Sequence, residues 1–264
     1  MINADFHIHS GFSSDSREPL KEMARSAAEK GLKTVCFTEH MDFDYPTGEF
    51  QLDTDSYRRE LLRVRAELQD KIEILFGVEL GLLDYASDRL YKFVSGREFD
   101  FMIGSAHTAD GIDPYYPEYF GKYGGKNGIL RFFEKMLAGI KAFDGFDVLG
   151  HLDYIVRYSP EKKYDPADFR EVIDEILKTV ISKGKGIEIN SKGVPTIGYP
   201  HPHPFVLSRY KELGGEIITI GSDAHDRSRI AADFDLAEQA LKDAGFNYYC
   251  IFRRRKPEFL KLTS

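Results

Sequence analysis

The chain has 264 residues, 42 % hydrophobic and 30 % charged, with a formal charge of −7. That length can bury a sizeable core as one large domain, and no apolar run nears the eighteen or so residues of a membrane span. The acidic balance argues against a surface that coats nucleic acid. The first residues show no basic stretch followed by a long apolar core, so no secretory signal is expected. Cys36 and Cys250 sit in apolar runs and read as reduced core thiols. A cytoplasmic protein is the expectation. With no repeat, low-complexity tract or linker, residues 1–264 are expected to form a single domain.

Short apolar runs alternate with longer amphipathic segments along the chain. Strands are predicted at 4–9, 34–39, 72–80, 99–105, 147–151, 186–190 and 216–222. Helices are predicted at 19–30, where Pro19 opens the segment and Gly31 follows it, and at 56–70, 129–142, 166–183 and 230–244. Fainter periodicity marks 85–94 and 205–213, and 247–253 reads as a last strand or closing segment. Regular βα alternation implies parallel strands returned by helices. Seven such units fit an α/β barrel, closed or nearly closed. An open doubly wound sheet is the alternative, but no GxGxxG follows the first strand.

Polar residues mark the predicted strand ends. Asp5-Phe6-His7-Ile8-His9 closes the first run, Thr38-Glu39-His40 the second, Gly77-Val78-Glu79 the third and Gly104-Ser105-Ala106-His107 the fourth. Gly150-His151-Leu152-Asp153 closes the fifth and Gly221-Ser222-Asp223-Ala224-His225 the seventh. Residues two apart on a strand point the same way, so His7 and His9 can face one ion. In a parallel barrel the C-terminal strand ends share one face, where six of the eight histidines would then converge with several carboxylates. Imidazole and carboxylate without thiolate suit Zn, Mn or Fe, and the candidates are too many for one ion. A lone histidine at a strand end is an ordinary residue; the joint pattern points to a metal cluster.

In this order and spacing, FHIHS, TEH, GVE, GSAH, GHLD and GSDAH resemble the polymerase and histidinol phosphatase (PHP) family of metal-dependent phosphoesterases, from His7 to His225. The resemblance implies a distorted (β/α)7 barrel with three divalent ions at the C-terminal strand ends. It also implies a ligand set. His7, His9, Glu79 and Asp223 would hold one ion. Glu79 would bridge to a second, bound by His107 and His151. His40, His225 and Asp15 would hold a third. Members carry His or Asp at the position of Asp15, whereas Ser13-Ser14-Asp15-Ser16 by itself reads as a turn. Asp42, Arg157, Glu188-Ile189-Asn190-Ser191, Tyr199-Pro200 and Glu212-Leu213-Gly214 are similar to the monofunctional histidinol-phosphate phosphatases of the family. That branch often has Ser-Gly and then a basic residue where this chain has Ser191-Lys192-Gly193. Lys192 therefore either takes over a basic substrate contact or the contact is lost.

The implied reaction is hydrolysis of L-histidinol phosphate, a step of histidine biosynthesis, by a hydroxide bridging two ions. Metal binding brings a water's pKa from 15.7 to about 7. Glu79, Asp223 and His225 are the expected catalytic residues, and the leaving alkoxide takes its proton from Asp223, His225 or a metal-held water. Arg157 is expected to fork onto the phosphate; a solvated side chain or a partner for Asp153 is the alternative. Tyr115, Tyr116, Tyr119 and Tyr123 form either a substrate wall or ordinary loop packing. His201 and His203 read as a rigid loop leading into a helix, and 253–256 as a solvated basic run. The expected partner is a small phosphorylated substrate, with no stable nucleic-acid partner and no membrane. A nuclease or nucleotide phosphoesterase, a protein-tyrosine phosphatase and a non-catalytic metal-binding module are the alternatives. The missing basic stripe favours a small substrate, and the complete ligand set argues against the module. Three divalent ions would offset most of the −7 charge, so the acidic composition does not exclude an anionic substrate.

Overall fold

A computed structural model describes residues 2–262. Residues 1, 263 and 264, the ends of the expected domain and the first residue of the segment read for a secretory signal, lie outside the described residues. Seven parallel strands form one sheet in chain order: β1 (Ala4–Ile8), β2 (Thr34–Met41), β3 (Glu73–Gly81), β4 (Phe101–Ser105), β5 (Val148–Leu149), β6 (Gly186–Asn190) and β7 (Ile218–Gly221). The sheet curls until its edges meet. Ile8 bridges Ala224, the His9 amide donates to the Ala224 carbonyl (2.9 Å) and the Asp223 amide to the His7 carbonyl (2.7 Å). The result is the expected distorted, nearly closed α/β barrel, sealed where β1 and β7 end.

Helices α1 (Leu20–Glu29), α2 (Thr54–Glu67), α3 (Ser87–Val94), α4 (Pro117–Tyr123), α5 (Gly125–Ala142), α6 (Arg170–Ser182), α7 (Val194–Ile197), α8 (Pro204–Glu212) and α9 (Phe234–Asp243) lie in the connections. Helix α6 shows why they pack on the barrel. Ile173, Ile176, Leu177 and Val180 share one buried face, and burying each contributes about 1.5–3 kcal/mol. No helix among the described residues is long and apolar enough to cross a membrane.

Boundaries differ from the sequence pattern for local reasons. Helix α2 starts at Thr54, not 56, because the Asp53 carboxylate accepts from the Ser56 amide (3.1 Å) and caps the first turn. Helix α5 starts four residues before the predicted 129, through Gly125 and Gly128, which periodicity discounts; the Gly128 carbonyl accepts from the Tyr119 hydroxyl (2.8 Å). Segment 230–244 becomes helical only at Phe234, since Ala231 and Asp233 adopt left-handed backbone (φ 52° and 58°). The fifth strand shrinks to Val148–Leu149 because the His151 amide donates to the Glu188 carboxylate (2.9 Å) rather than to a neighbouring strand.

The last strand is not part of the barrel. β8 (Tyr248–Arg253) pairs antiparallel with β9 (Lys256–Lys261), which the sequence pattern did not reveal. Phe252 packs on Phe101 (ring centroids 5.0 Å apart). Of the basic run in this hairpin, Arg254 and Lys256 are exposed as expected, whereas Arg253 and Arg255 are engaged. Arg253 pairs with Glu73, at the start of β3. Arg255 donates to Asp147 (2.5 Å) and to the Gly145 carbonyl (2.6 Å), just before β5. The hairpin therefore ties together the N-terminal ends of the strands. Asp147 is only 6 % exposed, so Arg255→Ala should cost about 2 kcal/mol of stability, read as a lower urea midpoint. Metal content should not change, because the pair sits at the opposite end of the barrel from the ligands.

Candidate metal centre

Each C-terminal strand end delivers polar side chains to one point. β1 supplies His7, with His9 just beyond it; β2 supplies His40 and β3 supplies Glu79. His107, His151, Asp223 and His225 follow β4, β5 and β7, and Asp15 comes from the loop after β1. Close approach is built into the backbone. A Cβ on Gly221 would collide with His7 and Glu188, so only glycine lets β7 lie against them. Asp223 itself is held in left-handed backbone (φ 51°), a strained state for a non-glycine residue that clusters at functional sites.

All nine residues expected as ligands come together. Glu79 Oε2 lies 3.2 Å from His7 Nε2 and 3.5 Å from His9 Nε2, and Asp223 Oδ1 lies 4.0 and 3.6 Å from the same two nitrogens. Glu79 Oε1 faces His107 Nε2 (3.1 Å) and His151 Nε2 (2.9 Å). Asp15 Oδ2 lies 2.7 Å from His225 Nε2 and 3.7 Å from His40 Nε2. Donors about 2.1 Å from a tetrahedral ion stand about 3.4 Å apart, and the groups close enough to hold an ion include His7, His9 and Glu79, then Glu79, His107 and His151, then His9, His40 and His225. His40 sits between sets, with its Nδ1 only 3.1 Å from Glu79 Oε2.

The donor set fits divalent cations on a second ground. His7 Nε2, His9 Nε2, His40 Nδ1, Glu79 Oε2 and His225 Nε2 are buried without a hydrogen-bond partner. A buried polar atom left unpaired costs about 1–3 kcal/mol; several around one carboxylate are accounted for by cations between them. The opposite ring nitrogens are fixed from behind. His7 Nδ1 donates to Glu188 (2.6 Å), His107 Nδ1 to Asp42 (2.6 Å) and His9 Nδ1 to Ser13 (3.1 Å). Each bond sets the tautomer that aims an Nε2 lone pair at the centre. Glu188 and Asp42 were not expected in this role. Glu188 stands two residues before Asn190 in an otherwise apolar run, a period-two signal that could have placed it inside the barrel.

Electrostatics divide the imidazoles. Burial opposes charge on His40, yet Glu79, Asp15 and Asp42 outweigh it and raise the ring to about 10. Burial also opposes charge on His7 and His107, but Glu188 and Glu79, and Asp42 and Glu79, raise them well above the usual histidine range. For His9, burial and the neighbouring imidazoles hold the ring well below that range, and burial also lowers His151 against the pull of Glu79. Burial pushes the Glu39 carboxyl up to about 7, against hydrogen bonds from Ser10 and Ser13 that lower it.

The centre opens into a cavity of about 610 Å³, also lined by Arg157, Lys192 and Tyr115. Arg157 is not a partner of Asp153. Its guanidinium stacks on Tyr154 (4.3 Å) and Tyr158 (4.9 Å), with its Nε buried and unpaired. Lys192 Nζ donates to Asp223 Oδ1 (2.8 Å) and lies 2.9 Å from His225 Nδ1. The tyrosine cluster divides. Tyr115 borders the cavity, whereas Tyr119 is buried under α5 and Tyr123 bonds Asp110. His201 lies in the loop that leads into α8, as expected, but it is fully buried: its Nδ1 donates to Asp153 (2.5 Å), and Asp153 also accepts from the His203 amide and the Tyr164 hydroxyl.

Comparison with known proteins agrees with this geometry. Residues 5–192 match the family described as "PHP domain". A protein from Lactococcus lactis subsp. lactis named "Histidinol-phosphatase" is 33 % identical over 97 % of this chain and 96 % of its own. One from Clostridium acetobutylicum named "Probable histidinol-phosphatase" is 34 % identical over 91 % of this chain and 92 % of its own. A crystal structure of histidinol phosphate phosphatase from Lactococcus lactis, complexed with Zn, L-histidinol and phosphate, superposes with a TM-score of 0.89 at 32 % identity. It covers 97 % of this chain and 98 % of that one.

Two outcomes follow from the shared carboxylate. Glu79→Ala should lose roughly two metal equivalents and Asp15→Ala roughly one, because Glu79 faces two ligand sets; mass-spectrometric metal analysis of the purified variants reads this. The protons on His7, His40 and His107 must leave for ions to bind. Ion uptake near neutral pH should therefore release protons, and affinity should rise with pH towards the His40 value of about 10. Calorimetric titration with Mn in buffers of different ionisation enthalpy checks the sign, and a buffer-independent enthalpy contradicts it.

Proposed function

The chain belongs to the PHP domain family, and we propose that it is a metal-dependent phosphomonoesterase that hydrolyses L-histidinol phosphate to L-histidinol and phosphate. One observation carries the reading: the cavity that exposes the ligand cluster also holds an arginine with no carboxylate partner. Similarity to the Lactococcus lactis protein, whose structure holds Zn, L-histidinol and phosphate, supports the choice of substrate. The buried free thiols Cys36 and Cys250 suit a reducing cytoplasm. All residues from 1 to 264 are read as serving this one activity.

Ions bound at the cluster supply an activated water and a positive field for the phosphoryl oxygens. The chain's own groups do the rest. His7, His9, Glu79 and Asp223 would hold one ion, His107 and His151 with Glu79 a second, and Asp15, His40 and His225 a third. The two oxygens of Glu79 face different imidazoles, His7 on one side and His151 on the other, so this carboxylate would serve two ligand groups. Arg157 offers its planar N–H groups to the non-bridging oxygens, held in register by Tyr154 and Tyr158 beneath it. Lys192 pairs with Asp223 (2.8 Å) and lines the same cavity, where it offers a second cation for the phosphate. Asp223 and His225 border the open cavity, where one of them can pass a proton to the departing alkoxide.

Steady-state kinetics of the metal-reconstituted protein tests this with L-histidinol phosphate beside short oligonucleotides, a 3′,5′-bisphosphate and a phosphotyrosine peptide. L-Histidinol phosphate should be preferred by at least about tenfold in kcat/KM. Arg157→Ala should raise KM for it about thirtyfold, matching about 2 kcal/mol for a charge-assisted contact, with metal content unchanged. Preference for another ester would overturn the substrate, and an unchanged KM would overturn the role of Arg157.

A further inference from the structure

The wall of the cavity also carries a carboxylate that the hydrolysis does not use. Asp113 is 4 % exposed and borders the cavity. Its Oδ2 accepts from the Tyr45 hydroxyl (2.7 Å), and its Oδ1 accepts from the Tyr115 amide (2.7 Å) and the Tyr154 hydroxyl (3.4 Å). All of these donors are neutral. The other two carboxylates that line the cavity have cationic or imidazole partners, Asp15 in His40 and His225 and Asp223 in Lys192. Among the described residues Asp113 has no such partner. A buried charge without a counter-charge is costly, so its retention at a cavity wall calls for a cation from outside the chain.

We infer that Asp113 and the tyrosines around it form a subsite for an ammonium group on the substrate. The aromatic setting suits that ligand, because Tyr115 and Tyr158 stand edge to face (5.6 Å) over the same cavity and offer ring faces to a cation. The spacing suits it too. The Tyr154 ring lies 5.0 Å from the His151 ring and 4.3 Å from the Arg157 guanidinium, while its hydroxyl reaches Asp113. One tyrosine side chain thus separates the anion-binding side of the cavity from the cation-binding side. A small ester with phosphate at one end and a primary amine at the other spans them. The inference rests on the phosphomonoesterase reading for the phosphate end alone.

The test uses two substrates and two variants of the full metal-loaded chain. L-Histidinol phosphate carries the amine; 3-(imidazol-4-yl)propyl phosphate lacks it. Wild-type protein should prefer the amine ester, and Asp113→Asn, which keeps the side-chain volume, should reduce that kcat/KM ratio about tenfold or more. Tyr115→Leu alters an exposed ring, 61 % accessible, and should reduce the ratio in part. Calorimetric binding of the two dephosphorylated alcohols reads the subsite without turnover. An unchanged ratio and unchanged binding preference in Asp113→Asn overturn the subsite, as does a wild type that binds the two alcohols equally. If no ester is hydrolysed but L-histidinol still binds better in an Asp113-dependent way, the hydrolase reading falls and the subsite stands.

Discussion

Everything at the top of the barrel is arranged around one fully buried carboxylate. Glu79 projects from β3 with both oxygens surrounded by imidazoles, and neither oxygen reaches water. Burial raises the cost of its charge, yet the charges of His7, His40 and His107 hold it well below the usual carboxylate range. Such an anion is tolerable only where cations are close. The strand ends of β1, β2, β4 and β5 must therefore arrive at fixed distances, and that requirement closes the barrel at this end while leaving the other end to the β8–β9 hairpin.

A second ring of carboxylates lies behind the first. Glu188 holds His7 and also captures the His151 amide, so the same side chain orients one ligand and ends the fifth strand before another. Asp42 does for His107 what Glu188 does for His7. The Ser13 hydroxyl accepts from His9 and donates to Glu39 (2.6 Å), linking the β1 exit to β2. These bonds lock the imidazoles before any ion arrives, which reduces the reorganisation that binding would otherwise demand.

The alternation of strands and helices was legible because each element carries its own period, two or about 3.6, in local sequence. The ligand positions were legible because six histidines stand at the ends of apolar runs. What stayed hidden depends on distant partners. Glu188 and Asp42 stand in family-like stretches, but their role as partners of His7 and His107 shows only once the fold brings those rings to them. The two-residue β5 follows from a side chain accepting a backbone amide that a strand would have used. His201 reads as loop because Pro200 and Pro202 flank it, yet its burial against Asp153 comes from residues about fifty positions away. The 253–256 run looked solvated because Glu73 and Asp147 are remote in sequence.

The cavity is bipolar, and that bears on what it admits. On one side stand Arg157 and the cluster that holds the ions; on the other, Asp113 lies among hydroxyl groups. A polyanion meeting this cavity would satisfy the first side and press negative charge on Asp113, which among the described residues has no ion-pair partner. A nucleic-acid strand also needs a basic track leading away from the reacting phosphate. The acidic chain shows no such stripe in its sequence. A zwitterionic ester meets both walls with the matching sign, and discrimination then comes as much from the unpaired carboxylate that a wrong substrate leaves behind as from the contacts a right one makes. The same logic explains why the aromatic residues gather between the walls. Tyr154 touches both ends of the span joining the two charges, with Arg157 over its ring and Asp113 at its hydroxyl.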